Sequence, residues 1–168
     1  MAKRKGACPG CGARFYNEDG PTHAYMTSSP ACWRAYGELL AAEYSSEDLM
    51  LIHRLTVDAY AVQHPGGNGR RAIQSVGLHL AGLKFQLVDA VTPEVARKAM
   101  QKLSQHKASL VRLEPPRFFS MTITDVAPLA GSDEHVGAVT AWAKSAWEDW
   151  RLHHAFIEDW IETCYDTA

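Results

Sequence analysis

The sequence predicts a mainly α fold, a helical bundle with an N-terminal zinc-knuckle loop region. Three observations predict it. From Cys32 onward, apolar residues recur at three- and four-residue spacing. These stretches carry Ser, Thr and Pro start signals and are broken by Gly and Pro. Residues 1–30, in contrast, are rich in Gly, Pro, Ser and Thr and short of aliphatics, so that segment needs a staple from outside. The 168 residues suit one domain with a small appendage. The expected division is a zinc-knuckle segment over 1–33 packed on a helical bundle domain over 34–168.

The elements follow in order. "CWRAYGELLAAEY" (32–44) has good helix formers after Pro30. "SSEDLMLIHRLTVDAYAVQH" (45–64) begins with Ser45 and Asp48 in an approximate capping box, and stops at "HPGGNG". That glycine run lacks a Gly-Lys-Ser/Thr ending and follows a helix, so it is a helix stop and not a phosphate loop. "RRAIQSVGLHLAGLKFQLVDAV" (70–91) sets Ile73, Val76, Leu80, Leu83 and Leu87 on one face. "TPEVARKAMQKLSQHK" (92–107) starts with Thr92 as cap and Pro93 at the first helical position. Residues 108–131 break the rhythm at Pro115-Pro116 and read as a long ordered loop, with a short strand at the β-prone Met121–Thr124. The last helix, 132–165, starts at Ser132 and carries the stripe Val136, Val139, Ala143, Trp147, Trp150, His154, Ile157 and Ile161. Trp142 and Trp160 lie off the centre of that stripe, which leaves one of them available to a partner.

The net charge is −2, without the basic excess of a nucleic-acid protein, so nucleic acid is disfavoured as the partner. Lys3, Arg4, Lys5 and Arg14 form a short basic cluster that reads as a solvated tail beside a metal knuckle. No apolar run is long enough for a membrane helix, and no apolar segment follows the N-terminal basic residues, so a cytoplasmic location is expected. Four cysteines in such a chain point to a metal or to free thiols, not to a disulfide framework.

Cys8-x-x-Cys11 has the spacing of a knuckle, with Pro9, Gly10 and Gly12 turning the chain so that both thiolates reach one ion. Cys32 supplies a third thiolate. His23, the histidine between Cys11 and Cys32, is the expected fourth ligand; Asp19 and a more distant histidine are the alternatives. A closed four-ligand zinc site is structural, because catalysis needs an open position. Cys164, near the end of the last helix, reads as a buried cysteine.

A second set of residues asks for a partner. On helix 45–64, Leu51, Ile52, Leu55, Ala59 and Val62 share a face with Asp58 at its edge, and His53, Val57, Tyr60 and His64 lie almost opposite. His79 flanks the stripe of the next helix, and His154 sits on the stripe of the last. Singly, each reads as a core or surface group: a histidine on a carbonyl, His64 at a helix end, Asp58 paired with Arg54. Together His53, Asp58, Tyr60, His64, His79 and His154 are costly polar groups on apolar helices, and at least three of His53, Asp58, His64, His79 and His154 are expected to line one pocket.

The segments "CPGCGA", "GPTHAYMTSSPACW", "LTVDAYAVQHPG", "SVGLHLAGL" and "AWAKSAWEDW" together resemble an uncharacterised bacterial family, a domain of unknown function. The resemblance covers nearly the whole chain and implies no activity. The helical part is also similar in architecture to the DinB-like metal-binding bundles, which hold a metal with three histidines. It departs from them in having only His153-His154 where a His-x-x-x-His pair is expected on the last helix. Two functions follow as expectations. The first is a zinc-binding module for a protein or small-molecule partner. The second is a metal-dependent hydrolase or transferase with a second metal among His53, His64, His79 and His154 and Asp58 as base or orienter.

Overall fold

The computed structural model describes residues 4–166; residues 1–3 and 167–168, and with them Lys3 of the basic cluster, lie outside it. The chain opens as a hairpin where a loop was expected. β1 (Lys5–Ala7) and β2 (Arg14–Tyr16) pair antiparallel, with Gly6 opposite Phe15. The knuckle is its turn: Cys8 N–H donates to Ala13 O, Gly12 N–H donates to Cys8 O, and Gly12 takes a φ of +79°, which a glycine tolerates without strain.

α1 (Pro30–Tyr44) starts where Ser29 Oγ accepts from Cys32 N–H, with Pro30 in the first turn. Its buried stripe runs Ala31, Cys32, Ala35, Tyr36, Leu39, Glu43. The single helix expected over 45–64 is broken. α2 (Glu47–Met50) is capped by Ser46, not Ser45, whose hydroxyl turns back to Ala42 O. At Leu51 and Ile52 the backbone bonds tighten to three-residue spacing, Leu51 is thrown outward at 78% exposure, and α3 (His53–Gln63) begins afresh.

α4 (Arg70–Leu83) runs into one π-helical turn, Lys84–Val88, and so ends short of residue 91. α5 (Pro93–Gln105) starts as expected, with Thr92 accepting from Val95 N–H. The strand expected at Met121–Thr124 is instead the start of a short helix, α6 (Ile123–Val126). Thr122 N–H donates to Asp125 Oδ2 at 2.8 Å in a capping box, and this local bonding outweighs β propensity. The expected last helix is two, α7 (His135–Asp149) and α8 (His154–Asp166), joined by a 3₁₀ turn.

α3 is the centre of the bundle. It packs on α4, α7 and α1, and is buried on nearly every side from Leu55 to Gln63. α1 and α3 run antiparallel: Cys32 lies by His64 at one end, Tyr36 stacks on Tyr60 in the middle at 3.9 Å, and Glu43 bonds His53 at the other end. The core is continuous from the knuckle cysteines to Cys164, which is buried as expected. Trp142 and Trp160 are both buried, so neither is left for a partner. Among the described residues no helix is long and apolar enough to cross a membrane.

Candidate metal centre

Three segments deliver four donors to one point. The hairpin turn brings Cys8 and Cys11, the first turn of α1 brings Cys32, and the end of α3 brings His64. One ligand atom from each lies within 4.8 Å of the others, and all four residues are buried. Cys11 Sγ and Cys32 Sγ are 3.8 Å apart, and Cys32 Sγ is 3.3 Å from His64 Nε2. The set can hold a metal ion. Among the described residues it is the one group of three or more His, Cys, Asp or Glu ligand atoms gathered so closely.

The histidine differs from the one expected. His23 is outside the cluster. Its Nδ1 accepts from Tyr25 N–H at 3.4 Å and Met26 N–H at 3.3 Å, its ring packs on Tyr25 and Trp33, and burial lowers the basicity of the imidazole. His23 shapes its own loop. His64 takes the fourth position because α3 returns antiparallel to α1 and ends beside the knuckle. Gly10 permits the approach: a Cβ there would lie 2.6 Å from His64 Cδ2 and collide with Thr27 O.

The surroundings suit a ligand. His64 Nδ1 donates to Tyr60 O at 2.7 Å, which fixes the tautomer and leaves the Nε2 lone pair toward the sulfurs. Ser29 N–H donates to Cys8 Sγ at 3.4 Å, and Tyr60 O–H to Cys32 Sγ at 3.7 Å. Burial, then the charge near Cys32, keeps the Tyr60 hydroxyl protonated and so a donor. Its ring stacks on His64 at 3.8 Å. Hydrogen bonds from Cys11 and then Cys32 drive the Cys8 thiol far below its usual range. Cys32 is driven far above, first by Cys11, then by Cys8 and burial. Three thiolates this close repel one another; a cation among them would let all three ionise.

The remaining expected residues do not meet in one pocket. His53 Nδ1 donates to Glu43 Oε2 at 2.7 Å, at the far end of α3 from His64. Asp58 bonds His79, Arg54 and Gln86. His154 Nε2 donates to Trp147 O at 2.9 Å and stacks on the Trp147 ring at 3.7 Å, closing the end of α7. Tyr60 belongs with the thiols. The expected group therefore divides among four settings, each with its own hydrogen-bond partners, and the likeness to three-histidine bundles does not extend to their site.

Sequence reading also missed Glu43 and His135. Glu43 is wholly buried and accepts from Thr56 Oγ1, His53 Nδ1 and His135 Nε2. Both had a signal. Glu43 continues the stripe Cys32–Tyr36–Leu39 of α1, and His135 precedes Val139 and Ala143 by successive steps of four.

No curated protein and no solved structure matches the chain. The model of one family matches residues 6–151, which takes in the knuckle, α1, α3 with His64, α4 and all of α7. The chain therefore belongs to DUF5946, a family of unknown function.

Proposed function

We propose that this is a zinc-stabilised binding module. The observation that carries the reading is the closed Cys8–Cys11–Cys32–His64 set, four buried donors with no position left over for a substrate. The spacing suits zinc. A tetrahedral ion with Zn–S near 2.3 Å and Zn–N near 2.0–2.1 Å separates two sulfurs by about 3.8 Å and a sulfur from a nitrogen by about 3.6 Å. The protein has 3.8 Å and 3.3 Å. Soft thiolates with one imidazole favour zinc over magnesium, calcium or manganese. A reducing cytoplasm would keep the thiols free to bind it.

In this reading the ion staples the hairpin to α1 and α3 and holds the floor of a cleft of about 570 Å³ between the knuckle and the Pro116–Thr124 segment. Arg14, Arg117 and Phe118 line it, and Phe118 is 75% exposed. Aromatic and arginine side chains on a shaped surface are the composition of protein-binding hot spots, so a protein segment with acidic and apolar side chains is the partner assigned to this face. The enzyme alternative is the weaker one, because its candidate ligands lie apart. Metal analysis of protein purified without added metal tests the reading. One zinc per chain, lost in Cys32→Ser, is expected; full zinc retained by Cys32→Ser, or two metals per chain, would contradict it.

A further inference from the structure

Asp58 is wholly buried on α3, and its carboxylate is fully engaged. Oδ1 accepts from His79 Nδ1 at 2.7 Å; Oδ2 accepts from Gln86 Nε2 at 2.8 Å and Arg54 Nε at 3.1 Å. Gly82 makes the space, since a Cβ there would lie 2.5 Å from Oδ2. Gln86 sits on the π-helical turn and is also tied to Gly82 O. This shell fixes the His79 ring. Nδ1 is committed to the carboxylate, and Nε2 has no hydrogen-bond partner among the described residues. The His79 side chain keeps 17% of its surface exposed and lines a pocket of about 350 Å³.

The rest of the pocket is equally unsatisfied. Ser75 lies one turn before His79 on the same face of α4, and its Oγ is buried without a hydrogen bond. Buried hydroxyls are rarely left so, because an unmade bond costs stability. A helical serine usually bonds the carbonyl one turn back, here Arg71 O; that bond is not made. Arg71 and Lys107 line the same pocket, and neither side chain has an ion-pair or hydrogen-bond partner among the described residues. No carboxylate lines it. Two uncommitted cations and an imidazole backed by a buried carboxylate face one space, and the unpaired Ser75 hydroxyl is buried in its wall.

We infer that this pocket binds a small phosphate-bearing anion, a phosphomonoester of modest size. Arg71 and Lys107 would hold the phosphoryl oxygens, the Ser75 hydroxyl would turn out of the wall to donate to one, and His79 Nε2, its ring fixed by Asp58, would complete the set. Four donors from α4 and from the turn after α5 exceed what the two oxygens of a carboxylate use well; the three terminal oxygens of a phosphoryl group match them better. Leu78 and the Tyr25 ring offer the apolar wall for the organic part. The inference goes beyond the zinc-module reading and does not depend on it, since none of the four donors belongs to the Cys8–Cys11–Cys32–His64 set.

Titration of the metal-loaded full chain with inorganic phosphate, followed by amide and imidazole NMR shifts at constant ionic strength with chloride as control, tests it. Saturable shifts centred on Arg71, Ser75, His79 and Lys107 are expected. The Arg71→Ala/Lys107→Ala double variant should bind at least about tenfold more weakly. Ser75→Ala should also bind more weakly while its Tm is equal or higher, because its hydroxyl makes no bond in the free protein; misfolding then does not explain the loss. A response that does not saturate, the same response to chloride, or wild-type affinity in the double variant would overturn the inference.

Discussion

The thiol–histidine centre and the Glu43 cluster occupy opposite ends of the same antiparallel pair, α1 and α3. Each takes one residue from α1, at least one from α3, and the remainder from a third segment. At one end Cys32 and His64 meet the knuckle cysteines; at the other Glu43, His53 and Thr56 meet His135 of α7. Their chemistry differs in what it lacks. At the Glu43 end the carboxylate has three donors, and His135 Nδ1 accepts from Gly131 N–H at 3.0 Å, so His135 carries its proton on Nε2 and gives it to Glu43. That cluster is complete as built. At the thiol end three sulfurs and an imidazole lone pair converge with few donors, and the arrangement is complete only around a cation. Two buried polar clusters of similar size thus separate into a structural knot and a set that can hold a metal by a count of donors against acceptors.

Breaking the thiol end should have the larger effect. Chelation of zinc should loosen the hairpin and the loop through Ser29, while α3 to α8 keep their helical signal. With free zinc a thousandfold above its Kd, the linkage is about 4 kcal/mol. For a domain of this size that is a Tm drop of roughly 8–16 °C, readable by thermal scans with and without chelator. Acidification should act in the same direction. Protons compete with the metal for the thiolates, so zinc is released as pH falls, and its appearance can be followed with a metal indicator.

The Glu43 end should respond to mutation and not to chelator. Glu43→Ala leaves His53, Thr56 and His135 without their acceptor and should cost about 3–5 kcal/mol by urea denaturation, with zinc content unchanged. Thr56→Val removes one bond to the same carboxylate at nearly constant volume and should cost about 1.5–3 kcal/mol. A smaller effect sharpens the contrast at the thiol end. Tyr60→Phe keeps the stack between Tyr36 and His64 but removes the hydroxyl on Cys32 Sγ. It should weaken zinc affinity by about tenfold, measured in chelator competition, with little change in the fold.

Much of this was legible in the sequence where the signal is local. The knuckle spacing, the Thr92-Pro93 start of α5, the stop after His64 and most of the apolar stripe of α7 and α8 follow from neighbours within a turn or two. What was not legible depended on the return of the chain. His64 stands 32 residues after Cys32, and only the antiparallel packing of α1 and α3 brings them together. His23 is the histidine that lies between the cysteines in sequence, and the fold leaves it outside the cluster. The signals that could have found His64 were Gly10, a glycine at the tip of a knuckle, and the "YAVQHPG" ending that stops α3 where the knuckle meets it. The breaks at Leu51 and Trp150 were hidden for a related reason, since the apolar spacing continues almost unbroken through both. Trp150 Nε1 donates to Val62 O at 3.1 Å and His154 caps α7 across the break, contacts a periodicity count does not contain.

His64, and not His23, is expected to complete the metal site. X-ray absorption at the zinc edge tests it most directly, on the wild type beside His64→Ala and His23→Ala. Three sulfurs near 2.3 Å and one nitrogen near 2.0–2.1 Å are expected in the wild type and in His23→Ala, with the nitrogen lost or replaced in His64→Ala. An unchanged three-sulfur, one-nitrogen shell in His64→Ala, or its loss in His23→Ala, would contradict it.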